Sequence, residues 1–213
     1  MGSIRTPEDL YDKLAIDLAW RKKELYSIRT LTARSKDVKL ETLIRSSIAL
    51  TYAHFEGFTK NSVKFYFNFL NSQKLKVSDV KSNIVAVELK ATFEKSLTAH
   101  SIKPLTELVD SLGNKNIICK NLLKYRPYTG ANLNYERLIN ISYALGINTD
   151  SFTSLKHLID ENLLANRNSI AHGDYVIMDQ DEINELQDRI ILILTEIKDQ
   201  LTNNAVLKNF LKK

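Results

Sequence analysis

The chain has 213 residues, of which 44% are hydrophobic and 26% are charged, so it can bury a sizeable core and is not a disordered chain. It contains only 6 glycines and 3 prolines, too few for the many turns of a β-sandwich or a β-barrel, and this composition favours an all-α fold. The net charge of +5 permits an anionic partner but does not require one.

Cysteine and histidine usage argues against a disulfide-bonded protein and against a metalloprotein. Cys119 is the only cysteine, and we interpret it as a small apolar core residue rather than as a nucleophile. The 4 histidines are scattered without metal-ligand spacing, so we predict neither a metal nor another cofactor. The sequence has no run of about 18 apolar residues and no apolar leader, which predicts a cytoplasmic protein without a membrane span.

Apolar residues at helical spacing predict two long helices at the start of the chain, from Pro7 to Ala33 and from about Val38 to Asn71. Thr6 before Pro7 is a suitable N-cap. A third helix is predicted over Asp79–Ala99. Residues 102–134 are predicted to form short helices and loops, and we interpret them as a possible insertion in a single domain that spans residues 1–213.

The last third of the chain predicts three further helices. Tyr135–Leu145 is a short helix that ends at Gly146, and a longer one begins at Asp150 or Ser151 and continues to Ala171. The final helix begins near Asp179 and is followed by a basic tail, which we expect to be a frayed last turn. Long amphipathic helices joined by short turns predict an up-and-down bundle with extra short helices in the middle.

The segment that could carry chemistry is Asn166–Gly173, because it contains both Arg167 and His172. Arginine is a permanent two-pronged phosphate donor, and histidine can gain and lose a proton near neutral pH. Residues five apart lie ~140° apart around an ideal helix, so we expect Gly173 to let the chain unwind and turn the His172 ring. Asn168, four residues before His172, shares its face and could orient the imidazole or bind phosphate.

The sequence Arg-Asn-Ser-Ile-Ala-His-Gly at 167–173 resembles the Arg-x(4–6)-His signature of HEPN ribonucleases. Two further windows, Leu18–Leu25 and Leu50–Phe58, resemble the RiboL-PSP-like branch that is found near restriction and toxin–antitoxin genes. The resemblance implies an all-α homodimer in which two motifs, with Arg167 and His172 as catalytic residues, converge on one cleft. It also implies metal-independent cleavage of RNA that leaves a 2′,3′-cyclic phosphate.

Glu56 and His54 are supporting candidates in the second helix. We interpret His54, which lies among aromatic residues, as a core histidine more readily than as a catalyst. A carboxylate at Glu56 in the same aromatic run needs a partner, and one interpretation is an ion pair that positions Arg167.

The leading functional prediction is an endoribonuclease toxin of a toxin–antitoxin or antiphage defence system, with RNA as substrate. A neutralising antitoxin or another defence protein is a possible partner. The alternative is a non-catalytic helical module that binds RNA or a nucleotide, or that serves as an accessory subunit. The residues at 166–173 do not separate these two functions.

Overall fold

The computed structural model describes residues 4–98, 102–113, 117–127 and 132–212. Within these ranges the regular elements are helices, apart from two isolated β-bridges, so the predicted all-α fold is confirmed. None of the helices in the described ranges is both long and apolar enough to cross a bilayer. The α-helices are α1 (Pro7–Ala33), α2 (Asp37–Ser72), α3 (Ser82–Thr98), α4 (Lys103–Gly113), α5 (Tyr135–Leu145), α6 (Asn166–His172) and α7 (Gln180–Val206).

The three long helices α1, α2 and α7 pack against one another as a bundle and enclose most of the core. Capping boxes define where α1 and α7 begin: Thr6 bonds to the Asp9 backbone, and Asp179 bonds to the Glu182 backbone. Arg29 also ties α1 to α7, since its Nη2 atom lies 2.8 Å from the Asn184 carbonyl oxygen. Apolar residues at helical spacing and the capping residues at the helix ends therefore account for the three long helices of the bundle.

The middle of the chain is built from α3, α4 and a short 3-10 helix, Leu122–Lys124. The Glu88 carboxylate on α3 accepts hydrogen bonds from the backbone N–H groups of Lys120 (2.8 Å) and Asn121 (2.8 Å), which ties this connection to the bundle. Short helices were predicted here, but their interpretation as an insertion stays a prediction. Part of the stretch 102–134, for which short helices and loops were predicted, lies outside the described residues.

Residues 150–172 form the predicted helical stretch, but its geometry changes along its length. A 3-10 helix, Asp150–Leu155, is followed by a π-helical segment, Leu158–Ala165, and then by α6. Leu158 and Leu163 are both buried although they are five residues apart. The i to i+5 spacing of a π-helix brings such a pair together, whereas an α-helix would separate them by ~140°.

The C-terminal tail is folded back onto the bundle, so the prediction of a frayed last turn is wrong. Phe210 is buried, and its ring packs edge-to-face on Phe69 at 6.1 Å. Leu211 forms an isolated bridge with Val80, and the Lys212 N–H donates to the Asp79 carbonyl oxygen at 2.8 Å. The prediction gave weight to the lysines of this segment and overlooked the single aromatic residue that anchors it.

Candidate active site

The motif helix α6 lies antiparallel along the N-terminal half of α2. The Arg167 guanidinium lies over the Tyr52 ring, 4.8 Å from its centroid. Arg45 Nη2 donates to the Asp174 carbonyl oxygen at 3.2 Å. Arg45 and Tyr52 are seven residues apart on α2 and so lie two helical turns apart on one face, whereas Asp174 follows the turn that ends α6. The face of α2 that carries Arg45 and Tyr52 is therefore the wall of the site.

Arg167 is half-buried and fixed by several partners. Its Nη1 atom donates to the side-chain oxygen of Asn132 at 2.7 Å and to that of Asn168 at 2.9 Å. The hydroxyl oxygen of Tyr52 accepts a hydrogen bond from the Leu133 N–H at 2.6 Å, which holds the ring under the guanidinium. Burial and the nearby charge of Glu56 raise the pKa of Tyr52 to about 12, so the ring stays neutral beneath Arg167.

His172 is exposed and is the last residue of α6. The chain turns sharply after it, because Gly173 adopts φ 88° and the Asp174 N–H bonds back to the Ser169 carbonyl oxygen at 2.8 Å. Since α6 remains helical through His172, the turn follows the histidine rather than including it. The helix therefore ends at Gly173 as expected, but His172 itself remains helical, so within one chain Arg167 and His172 lie on different sides of α6.

The supporting residues differ from their predicted contacts. Asn168 bonds to Arg167 at 2.9 Å, so in this structure it orients the arginine rather than the His172 ring. Glu56 forms its ion pair with Lys60 at 3.0 Å, and the proposed ion pair with Arg167 is not formed. The reason is spacing along α2: Lys60 is one turn away from Glu56, whereas the neutral Tyr52 ring occupies the space beneath the guanidinium.

His54 lies on the opposite face of α2, since it is two positions after Tyr52 and successive residues turn by ~100°. Its ring is only 3% exposed and faces α1, where Arg21 Nη1 lies 3.3 Å from its Nδ1 atom. The Glu24 carboxylate lies 2.9 Å from Nε2. Burial and the charge of Arg21 lower the pKa of His54, so it is neutral in the fold. The structure therefore does not bring His54 to Arg167 and His172.

A polar network between α1 and α2 joins the windows at 18–25 and 50–58. The buried Asp17 carboxylate accepts from Arg21 Nε at 3.0 Å, from Trp20 Nε1 at 3.2 Å and from Asn61 Nδ2 at 3.0 Å. Gly57 leaves space for the guanidinium, since a Cβ atom there would lie 2.8 Å from Arg21 Nη1. The network satisfies its buried charges internally, which is typical of a structural element.

Three residues of the site were missed in the sequence: Tyr52, Asn132 and Arg45. Tyr52 lies in the window at 50–58, one helical turn before Glu56. This spacing could have indicated that Tyr52 lies on the same face as the candidate Glu56. Arg45 lies two turns before Tyr52 on the same face. Asn132 comes from an irregular connection without periodicity, so nothing in the sequence indicates its contact with Arg167.

Neither a metal cluster nor a reactive thiol is evident near this site. In the described ranges, no three His, Cys, Asp or Glu side chains lie close enough together to hold a metal ion. Cys119 is buried, and burial raises the pKa of its thiol to about 11, so the thiol remains protonated at neutral pH. Its interpretation as a core residue agrees with this position.

The structure is an all-α bundle in which Arg167 and His172 lie on one short helix, α6. A sequence-family model described as MAE_28990-like HEPN matches residues 10–210. The chain belongs to this HEPN family, whose class often contains ribonucleases. No curated protein and no solved structure matches the chain. Assignment to the RiboL-PSP-like branch stays a prediction.

Proposed function

We propose that the protein is a metal-independent endoribonuclease that uses Arg167 and His172. The observation that carries this proposal is one helix with two different ends: a guanidinium fixed over Tyr52, and an exposed imidazole. In the reaction, the 2′-oxygen attacks phosphorus while the bond to the 5′-oxygen breaks. Arg167 stabilises the charged phosphate, and His172 transfers a proton. The products are a 2′,3′-cyclic phosphate and a free 5′-hydroxyl.

We propose that the active form is a homodimer. One chain supplies one His172, whereas the reaction needs a base for the 2′-hydroxyl and an acid for the leaving oxygen. Three exposed apolar residues lie near the motif and are called the apolar patch: Val38 (75% exposed) at the start of α2, which the Tyr175–Glu41 hydrogen bond brings close to the motif, and Tyr175 (64%) and Ile177 (86%) just after α6. Burial of this patch on a two-fold axis would bring two copies of His172 to one cleft.

In the cell, we propose that the protein acts as an RNase toxin in a toxin–antitoxin or antiphage defence system. The support is the likeness of its helical windows to the branch found near such genes. An antitoxin or another defence protein would then neutralise or assist it. The same fixed guanidinium would also serve a non-catalytic RNA-binding module, so the test must separate cleavage from binding.

The test is incubation of the purified chain with total RNA and with tRNA, with and without EDTA, followed by analysis of the product ends. We expect cleavage that EDTA does not inhibit, with 2′,3′-cyclic phosphate ends. His172→Ala should abolish cleavage and retain the fold and the dimer, because this side chain is exposed. RNA binding without cleavage by the parent protein would favour the binding module, and undiminished cleavage by His172→Ala would contradict the mechanism.

A further inference from the structure

A second feature of the surface is a groove of about 370 Å³ beside the C-terminal half of α2. Its volume lies within the ~300–1,000 Å³ range of ligand sites. The floor is apolar, and the rim carries three cations. The floor is formed by Val63, Phe67, Leu122 and Tyr125, and the rim cations are Lys60, Lys64 and Arg126.

The positive charge at the rim is only partly compensated. Lys60 pairs with Glu56 at 3.0 Å, but within the described part of the chain neither Lys64 nor Arg126 forms an ion pair with a carboxylate. Arg126 Nη1 donates to the carbonyl oxygens of Leu123 at 2.7 Å and of Tyr125 at 3.1 Å. These bonds fix the guanidinium at the rim without neutralising it, so its remaining donors suit an anionic ligand.

The groove and the candidate active site are both built on α2. A row of α2 residues at i, i+4 spacing winds from the ring beneath Arg167 to the groove, and its ends are ~18 Å apart along the helix axis and ~120° apart around it. On the other side, Pro127 lines the groove, and Asn132, five residues later, bonds to Arg167. The row consists of Tyr52, Glu56, Lys60 and Lys64.

We propose that this groove binds the single-stranded RNA that continues from the scissile phosphate. The phosphates lie on Lys64 and Arg126, and one base lies over the apolar floor beside Leu123. A cationic rim and an apolar floor match the two halves of a nucleotide. The choice of RNA as the ligand rests on the proposed function. The groove and its positive charge are observed independently of that function.

The experiment measures binding of labelled single-stranded RNA to the full chain that carries His172→Ala, which prevents cleavage during the measurement. Lys64→Glu and Arg126→Glu are added to this background, and Lys156→Glu is the matched control, because Lys156 is exposed and does not line the groove. For an oligonucleotide of about 12 residues, we expect each groove variant to raise Kd about tenfold and to reduce the salt slope of log Kd by about 0.7. Thermal unfolding checks that the variants remain folded.

A second arm uses the active chain and a dinucleotide that spans only the scissile bond. Lys64→Glu should lower kcat/KM for the 12-residue RNA far more than for the dinucleotide, since the dinucleotide does not reach the groove. An unchanged Kd for the long RNA, or binding of free AMP as tight as that of the long RNA, would overturn the inference. If the parent cleaves no RNA but binding depends on Lys64 and Arg126, the proposed function fails and the groove inference stands.

Discussion

Arg167 and His172 differ in how firmly the fold holds them. Arg167 packs on Tyr52 and donates to Asn132 and Asn168, whereas His172 is exposed at the end of its helix. A fixed cation suits the stabilisation of a charged transition state, because it needs no rearrangement during the reaction. An exposed imidazole suits the exchange of a proton with a substrate that binds at the surface. The two side chains therefore have different sensitivities to substitution.

For Arg167 we expect the geometry of the donor to matter beyond its charge. Arg167→Ala should lower kcat/KM by about 10²–10³-fold, and Arg167→Lys should recover only part, since lysine lacks the planar fork. Arg189→Ala is the matched control, because Arg189 is a partly exposed arginine on α7 that pairs with Glu185. Steady-state cleavage of one defined RNA measures the effect. Full activity of the lysine variant would show that charge alone suffices.

His54 predicts how stability depends on pH. Its pKa is lowered in the fold by burial and by Arg21, so the unfolded chain binds the proton more readily than the folded chain. The contribution of the neutral His54 ring to the free energy of unfolding is fully present above the pKa of histidine in the unfolded chain, about 6.5. It is lost as the pH falls from there through the lower pKa of the folded state. Denaturant unfolding at several pH values should show a steeper acid loss for the parent than for His54→Gln. His157→Gln, an exposed control, should retain the parental slope, and equal slopes for all three proteins would contradict the assignment.

At the scale of the element, the turn that ends α6 determines where His172 is presented. Gly173 adopts φ 88°, and a side chain in this conformation costs about 1–2 kcal/mol. Gly173→Ala should therefore lower the free energy of unfolding by about this amount and reduce cleavage as well. Gly173→Asn should be milder, because asparagine tolerates the left-handed region.

The control for this prediction is Gly113→Ala. Gly113 does not adopt a left-handed conformation, and an added methyl group would meet nothing within 4 Å. We expect no loss of stability there. Urea unfolding of the three variants gives the comparison, and an equal effect at Gly113 and Gly173 would show that the turn conformation is not the cause.

The bounds of the helices were predictable because local signals define them. Thr6 and Asp179 cap α1 and α7, and Gly146 and Gly173 end α5 and α6 with left-handed conformations. The apolar spacing of these helices is regular enough to predict the bundle. Deviations from regular spacing were not predictable: the π-helical segment and the folded tail depend on packing partners that are distant in sequence.

The candidate site was predictable only where residue types themselves suggest chemistry. Arg167 and His172 stand out through their types and spacing. The contact of Arg167 with Asn132 depends on a connection 35 residues away, and its distance from Glu56 depends on how α6 lies on α2. Such geometry comes from tertiary packing, so the sequence suggested Arg167 and His172 as candidates but indicated neither their contacts nor the positions of Tyr52, Asn132 and Arg45 beside them.

At the scale of the whole molecule, the apolar patch beside the motif predicts the dimer contact. A charge at Ile177, which is 86% exposed, costs the monomer little but disrupts an apolar interface. Ile177→Asp should weaken the dimer and lower cleavage together. Leu192→Asp, at a 66% exposed position on α7, is the matched control and should leave both unchanged. Light scattering with a parallel cleavage assay measures this, and a dimer lost only in Leu192→Asp would place the contact on α7.

The π-helical segment ahead of α6 makes chain length a determinant of the site. One residue more or fewer between Ile159 and Arg167 would rotate everything that follows by ~100° and shift it by ~1.5 Å. Arg167 would then leave the Tyr52 ring even though every side chain of the motif was retained. Substitutions at exposed positions such as Glu161 should therefore be far better tolerated than single-residue insertions or deletions, and homologous chains should differ here in residue identity but not in residue number.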